Sequence, residues 1–476
     1  MERRKFLKYN SMALGGIMFA PYASSAAVFS DSGIVSNRPA VSDRKFISPV
    51  VEKTIISVQK KITNPKLSKM FENCFPNTLD TTVDFSMKDG KPDTFVITGD
   101  IKAMWLRDSS AQIWPYLKFV NKDAKLDLLI QGVLNRQVKC ILIDPYANAF
   151  NKEPTGSEWE SDKTDMKPEL HERKWEIDSL CYPVRLLYQY WKTTNKVICF
   201  TEEWHEAFKL IIDTFKKQQR KKDHGDYYFS RKTEKATDTL SGNGYGSPVY
   251  PNGLIVSSFR PSDDATVLPF LIPSNYFAAE TLMKIQEIAS EVYHDQSLSR
   301  KARLFAGSVR LGLRNYARAE KPDFGEVLAY EVDGFGNKLF MDDANVPGLL
   351  SLPYLDLIKK DDPLYLNTRK LILSEYNPWF FQGKDFEGLG SPHTGVGMIW
   401  PIGIIIRAIT STDEKEIKNC VSMLIESQSD TCFIHESFSV ENPSNYTRSW
   451  FAWANSLFGE LILNIADNKP LLLKTI

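Results

Sequence analysis

AKLDLLIQGVLNRQVKCIL, residues 124–142, decides the fold class. Leu126, Leu129, Ile130, Val133, Leu134 and Val138 recur at spacings of three and four, which gathers them on one face of a 3.6-residue helix. TEEWHEAFKLIIDTFKK (201–217) repeats the pattern with Trp204, Phe208, Ile211 and Phe215, behind Thr201 as the expected N-cap. SNYFAAETLMKIQEIASEVY, SRKARLFAGSVRLGLRNYA, KEIKNCVSMLIESQ and RSWFAWANSLFGELILNIA continue it through residue 466. Strand patterns are few and short; the clearest is GEVLAYEVDGFGNKLFMDD (325–343), two alternating runs about Asp333-Gly334 that predict a hairpin. Ordinary-length helices separated by long loops dense in Gly, Pro, Asp and Trp predict an all-α chain of helical hairpins. An (α/α) barrel is one natural closure, and loops of that length in a compact domain are functional as a rule.

The composition supports one large core. Of 476 residues, 43% are hydrophobic and 25% charged, and the formal net charge of zero offers no basic surplus to nucleic acid or an anionic membrane surface. Cys74, Cys140, Cys181, Cys199, Cys420 and Cys432 form no C-x-x-C pair, so zinc-ribbon and dithiol chemistry are disfavoured and buried free thiols are expected. The N-terminal MERRKFLKYNSMALGGIMFAPYASSAA has paired Arg3 and Arg4, a short apolar run and a small-residue end. That is the grammar of a bacterial twin-arginine export signal over residues 1–27. A flexible mature N-terminus over 28–44 and a single catalytic domain over 45–476 would follow. The apolar run is too short to span a bilayer, and the expected location is periplasmic or secreted.

Familiar catalytic motifs fail. His435-Glu436 starts like H-E-x-x-H, but Ser439 stands at the second ligand position; DANVPG from Asp343 breaks the calcium-loop pattern at Pro347. There is no dinucleotide fingerprint, Walker lysine loop or G-x-S-x-G elbow. No metal or organic cofactor is implied.

What remains is a set of separated loops repeating one palette of carboxylate, aromatic ring and amide. TFVITGDIKAMWLRDSSAQIWPYL supplies Asp100, Trp105, Arg107, Asp108, Gln112 and Trp114, and HERKWEIDSLCYP supplies Glu172, Glu176 and Asp178. SSFRPSDDATVLPFLIP (257–273) supplies Arg260, Asp263 and Asp264, a shaped loop because Pro261 and Pro269 exclude one long helix. FMDDANVPGLLSLPYL carries Asp342, Asp343 and Asn345, and GSPHTGVGMIWPIG carries His393 and Trp400. The last loop, TCFIHESFSVENPSNYTRSWFAWAN, holds Glu436 and Arg448. Taken singly, each is more often a cap, an ion pair or packing. Together they suit a polyhydroxylated ligand, whose hydroxyls bond to carboxylates and Arg while indole faces cover the apolar side of a pyranose. Glycoside hydrolysis needs one protonated and one ionised carboxyl. Asp263, in an apolar loop beside Asp264, is the candidate for the raised pKa, with Arg260 expected on Asp264 or a sugar hydroxyl; Glu436, among Phe433, Ile434 and Phe438, is the best partner.

ITGDIKAMWLRDSSAQIWPYL, FRPSDDA…IPSN, HTGVGMIWP and HESF…TRSWFAWANSLFGELI resemble glycoside hydrolase family 125, the exo-acting α-1,6-mannosidases, over roughly residues 45 to 470. The resemblance implies an (α/α)6 barrel and metal-independent, inverting removal of terminal mannose from α-1,6-linked mannosides, such as N-glycan or mannan fragments. It puts the general acid on Asp263 and the general base on Glu436. Trp105, Arg107, Asp108, Glu172, Arg260, Asp264, Asp342, His393 and Trp400 are expected around the sugar. An (α/α)-barrel glycosidase for another sugar, a polysaccharide lyase and a non-catalytic glycan-binding protein are the alternatives.

Overall fold

The computed structural model describes residues 36–476; the expected export signal lies outside them. Twelve α-helices carry the fold: α1 (Pro49–Gln59), α2 (Pro65–Cys74), α3 (Leu106–Ile113), α4 (Ala124–Ile143), α5 (Ile177–Thr194), α6 (Glu202–Lys217), α7 (Ile272–Glu291), α8 (Gln296–Tyr316), α9 (Pro363–Ile372), α10 (Pro401–Thr410), α11 (Glu414–Glu426) and α12 (Ala452–Asn468). The architecture is (α/α)6. Helices α12, α3, α5 and α7 pack in succession, and α10 packs on α12. Between α7 and α10 the turn-rich segment 349–357 takes the remaining inner place: Tyr354 bonds Glu460 of α12 through its hydroxyl and accepts from Arg185 of α5 at its carbonyl. The outer helices α2, α4, α6, α8, α9 and α11 alternate with these along the chain.

The periodic residues behave as their spacing requires. In α4 all six apolar positions named above are at most 2% exposed, and in α6 Trp204, Phe208, Ile211 and Phe215 are fully buried. Thr201 does occupy the N-cap of α6, but its hydroxyl donates to Glu203 instead of capping a backbone amide. Helix α3 is different: all eight residues of LRDSSAQI are buried, polar ones included. Such a helix is enclosed by other helices and satisfied side chain to side chain, as when Gln137 of α4 donates to Ser109 and Ser110 at 2.9 and 2.8 Å. Inner and outer layers approach closely at Gly459 of α12, where a Cβ would meet Phe75 Cδ2 at 2.8 Å.

The predicted hairpin about Asp333-Gly334 forms, but from shorter strands. Glu331–Val332 pairs with Lys338–Leu339, whereas Gly325–Leu328 turns back to pair with Arg318–Lys321. Gly334 is required at the turn: its φ is +84°, and a Cβ would sit 2.1 Å from the carbonyl oxygen of Tyr250. Residues 36–44, ahead of the expected domain boundary, pack on the domain through Arg38, whose Nε donates to Asp80 at 2.5 Å and whose other nitrogens hold Glu52. All six cysteines are buried and unpaired. Among the described residues no helix is long and apolar enough to cross a membrane.

Candidate active site

Two small sheets join loops distant in sequence. Met104–Trp105 pairs with Ala149–Phe150, which pairs with Leu170–Glu172, so the MWLRD and HERKWEID segments meet. Met398–Ile399 pairs with Phe438–Ser439, which brings the His393–Trp400 loop against Glu436.

The RPSDD segment is a tight hairpin, not the opening of a helix; α7 begins only at Ile272. Phe259 bridges Ala265, Asp263 N–H bonds to the Arg260 carbonyl at 2.9 Å, and Arg260 N–H bonds to the Asp264 carbonyl at 2.8 Å. Pro261 supplies the first turn residue, and Asp263 takes the left-handed position that closes a three-residue loop, with φ +65°. Glycine is the usual occupant there, and aspartate is among the few side chains that tolerate it. The turn also separates the two aspartates. Asp263 lines the pocket, with its side chain 24% exposed, while Asp264 is fully buried and bonded to Thr237 at 2.7 Å and Lys235 at 3.0 Å.

Asp263 sits in a crowded field. Arg107 and Asn148 each reach its Oδ1 at 3.4 Å, and Lys174 holds its backbone carbonyl at 2.9 Å. Burial works to raise its pKa, but Lys174, Arg107, a hydrogen bond from Glu176 and His393 outweigh it and hold the carboxyl at about 2. The raised pKa expected at Asp263 falls on Glu176 instead. Burial pushes the Glu176 carboxyl well above its usual range; Arg107 opposes that shift, and Asp263 and Asp178 add to it.

Glu436 lines the same pocket from a different loop. Thr447 Oγ1 donates to its Oε2 at 2.8 Å and Arg448 Nη1 to its Oε1 at 3.4 Å, while a second Arg448 nitrogen grips Asp100. The neighbouring His435 ring stacks on Tyr446 at 3.9 Å and contacts the Arg448 carbonyl at 3.0 Å, which fixes the backbone carrying Glu436. The two carboxylates line one pocket, which is partly open to solvent.

Of the other expected site residues, Trp105, Arg107, Asp108, His393 and Trp400 line this pocket. Glu172, Arg260, Asp264 and Asp342 do not line it. Arg260 pairs with Glu331 at 2.6 Å, Glu172 is engaged by Asn148 and Arg231 at 3.0 and 2.9 Å, and Asp264 braces the hairpin. Asp342 spends its two oxygens on the Leu349 and Leu350 amides at 2.7 and 2.8 Å. All four are buried; the oxygens of Glu172, Asp264 and Asp342 are already engaged, whereas Arg260 keeps Nη2 without a partner. The lining also includes Thr98, Ile101, Phe451 and Trp453, which sequence reasoning did not single out, together with Asn345 and Arg448. Asn148 and Lys174, both touching Asp263, went unmarked as well; a buried Lys174 among charged neighbours carries no periodic or motif signature.

The family model described as metal-independent alpha-mannosidase (GH125) matches residues 64–463. A Streptococcus pneumoniae member of a family of metal-independent α-mannosidases, solved as a non-productive complex with α-1,6-mannobiose, matches with TM-score 0.86 and 41% identity over 89% of this chain and 100% of that one. The meiotically up-regulated gene 157 protein of Schizosaccharomyces pombe is 42% identical over 457 residues, 92% of this chain and 89% of the relative. A bacterial glucoamylase complexed with acarbose shares the fold alone, with TM-score 0.53 and 12% identity over 88% of this chain and 58% of that one. With a family match running from α2 into α12 and through both carboxylate loops, the chain belongs to the GH125 metal-independent α-mannosidases.

Proposed function

We propose that the protein is an exo-acting α-1,6-mannosidase that inverts the anomeric carbon, with Asp263 as general acid and Glu436 as general base. The observation that carries this reading is the joint presence of Asp263 and Glu436 in the wall of one pocket among Trp105, Trp400 and Trp453. A terminal mannose fills the pocket with its glycosidic oxygen toward Asp263. Asp263 protonates that oxygen as the bond to C1 breaks, and Glu436 takes a proton from the water attacking C1 on the opposite face. Thr447 and Arg448 each donate a hydrogen bond to Glu436 and so orient its carboxyl. Arg107, which donates to Glu176, Asp178 and Asp263, fixes the acid's position. The linkage is supported by the bound disaccharide of the Streptococcus pneumoniae relative. N-glycan or mannan fragments ending in α-1,6-mannose are the substrates in this reading.

Proton NMR of an α-1,6-mannobiose digest tests it: β-mannose should accumulate first and mutarotate afterwards. Initial α-mannose would refute inversion, and no release of mannose would favour a glycan-binding protein. Export through the twin-arginine-like segment 1–27 belongs to the same proposal and rests on the sequence grammar alone. Amino-terminal sequencing of the chain from the envelope fraction should begin near residue 28; a chain starting at Met1 in the cytosol would refute it.

A further inference from the structure

Arg107 gathers more acid than its charge can balance. Its guanidinium lies 2.6 Å from Glu176, 3.0 Å from Asp178, 3.4 Å from Asp263 and 3.7 Å from Asp108. The side chains of Glu176 and Asp178 are entirely buried. Lys174, the next cation, is committed to Asp238 at 2.7 Å and has Glu172 at 3.4 Å, and Arg231 is committed to Asp162, Glu172 and Asp238. His393 and His171 complete the titratable groups facing Asp263. Four carboxyls against one guanidinium in a buried site do not all ionise at neutral pH; the cluster retains a proton.

The hydrogen bonds say where that proton sits. Glu176 Oε2 accepts from Arg107 and from Ser179 Oγ at 3.0 Å, but its Oε1 is buried with no donor. Glu176 and Asp263 share the Arg107 guanidinium, at 2.6 and 3.4 Å, so the two carboxyls stand side by side on one cation. Asp178 is the rival holder, since burial raises its carboxyl too and its Oδ1 is also buried without a partner, but its place in the first turn of α5 opposes that shift. The elevated pKa of Glu176 and the depressed one of Asp263 agree with this placement.

We propose that Glu176 stores the proton that Asp263 delivers to the leaving group, so that the acid of this enzyme is a carboxyl pair loaded at neutral pH although Asp263 itself is ionised. This rests on the assignment of Asp263 as the acid. In the step, the Glu176 O–H proton passes to Asp263, and the Asp263 carboxyl, neutral for that moment, gives the same proton to the glycosidic oxygen. The C1–O bonding pair leaves with that oxygen, water bonds to C1, and the water's proton goes to Glu436. The turnover ends with Glu176 and Asp263 ionised and Glu436 protonated; solvent removes the proton from Glu436 and returns one to Glu176. Glu176 is thus a positioning and proton-holding residue that acts through Asp263.

Glu176→Gln keeps the shape, an acceptor for Arg107 and an N–H for Asp263, but removes the stored proton. With α-1,6-mannobiose its kcat/KM at pH 7 should fall about tenfold or more, and the basic limb of the pH profile should move about one unit or more to lower pH. α-Mannosyl fluoride, whose leaving group needs little protonation, should lose far less. Glu176→Asp, which restores a protonatable carboxyl, should move the limb back toward the wild type. Infrared spectra at pH 7 should show a protonated-carboxyl band in the wild type that Glu176→Gln lacks. An unmoved basic limb, equal losses on both substrates, or an unchanged infrared band in Glu176→Gln would each overturn the proposal. Asp263→Asn separates the two levels: full activity on mannobiose in that variant refutes the acid assignment itself, whatever position 176 does.

Discussion

Replacing Arg107 by methionine tests whether the guanidinium is the keystone of the acidic wall. Arg107 is 2% exposed and is the direct partner of Glu176, Asp178 and Asp263. Removing one member of a buried ion cluster leaves charge uncompensated, a loss of about 3–5 kcal/mol. A chain of 476 residues melts with an entropy of about 1 kcal/mol/K, so Tm should fall by about 3–5 °C. The deficit should also depend on pH. Without Arg107 the folded-state pKa values of Glu176 and Asp178, already raised by burial, rise further above their unfolded value of about 4, and Asp263, held at about 2, loses part of its depression. A carboxyl raised in the folded state contributes its stabilisation fully below the unfolded pKa and loses it as pH rises through the folded one. The gap between wild type and Arg107→Met should therefore be narrow at pH 5 and wide at pH 8, as read by calorimetry at constant ionic strength. A gap of the same size at both values would mean that lost packing, not unbalanced charge, is the cause, and an unchanged Tm would refute the keystone role altogether.

Glu436→Gln should reduce turnover of α-1,6-mannobiose by about a thousandfold or more while mannose binding, read by calorimetric titration, changes little, because shape survives and the base does not. Asp263→Gly and Asp263→Ala should both abolish mannobiose turnover, yet the glycine variant should be the more stable by about 1 kcal/mol, since only alanine is strained at φ +65°. Equal melting temperatures for the pair would contradict the left-handed turn. Thr447→Val should lower kcat more than it raises KM, because it removes a donor to Glu436 and no pocket wall. Reductant should leave Tm unchanged, since all six thiols are unpaired and buried.

The outer ring was legible in the sequence because an outer helix keeps one face in water and so retains the alternation of apolar and polar residues; α4 and α6 are plain cases. Helix α3 was not, because LRDSSAQI is enclosed on every side and its polar residues bond to neighbours that no local pattern reveals. The irregular segment 349–357 holds an inner place without helical hydrogen bonding throughout, which periodicity has no means of marking. At the site, residue type pointed to loops that meet at one pocket, and type alone could not give direction. Arg260 and Asp263 stand three residues apart in one turn, yet one points to Glu331 in the core and the other into the pocket. A single backbone angle explains the division between Asp263 and Asp264, and a glycine-like φ at an aspartate is invisible in a string of letters. The expected raised pKa met the same limit. Reasoning from an apolar loop placed the proton on Asp263, but the loop docks against Arg107 and Lys174, which stabilise its anion, and the neutral form moves one carboxyl away to Glu176, where burial is complete. Chemistry that needs a charged and an uncharged carboxyl thus depends on which of several acids the fold desolvates, and that is settled by contacts between segments far apart in the chain.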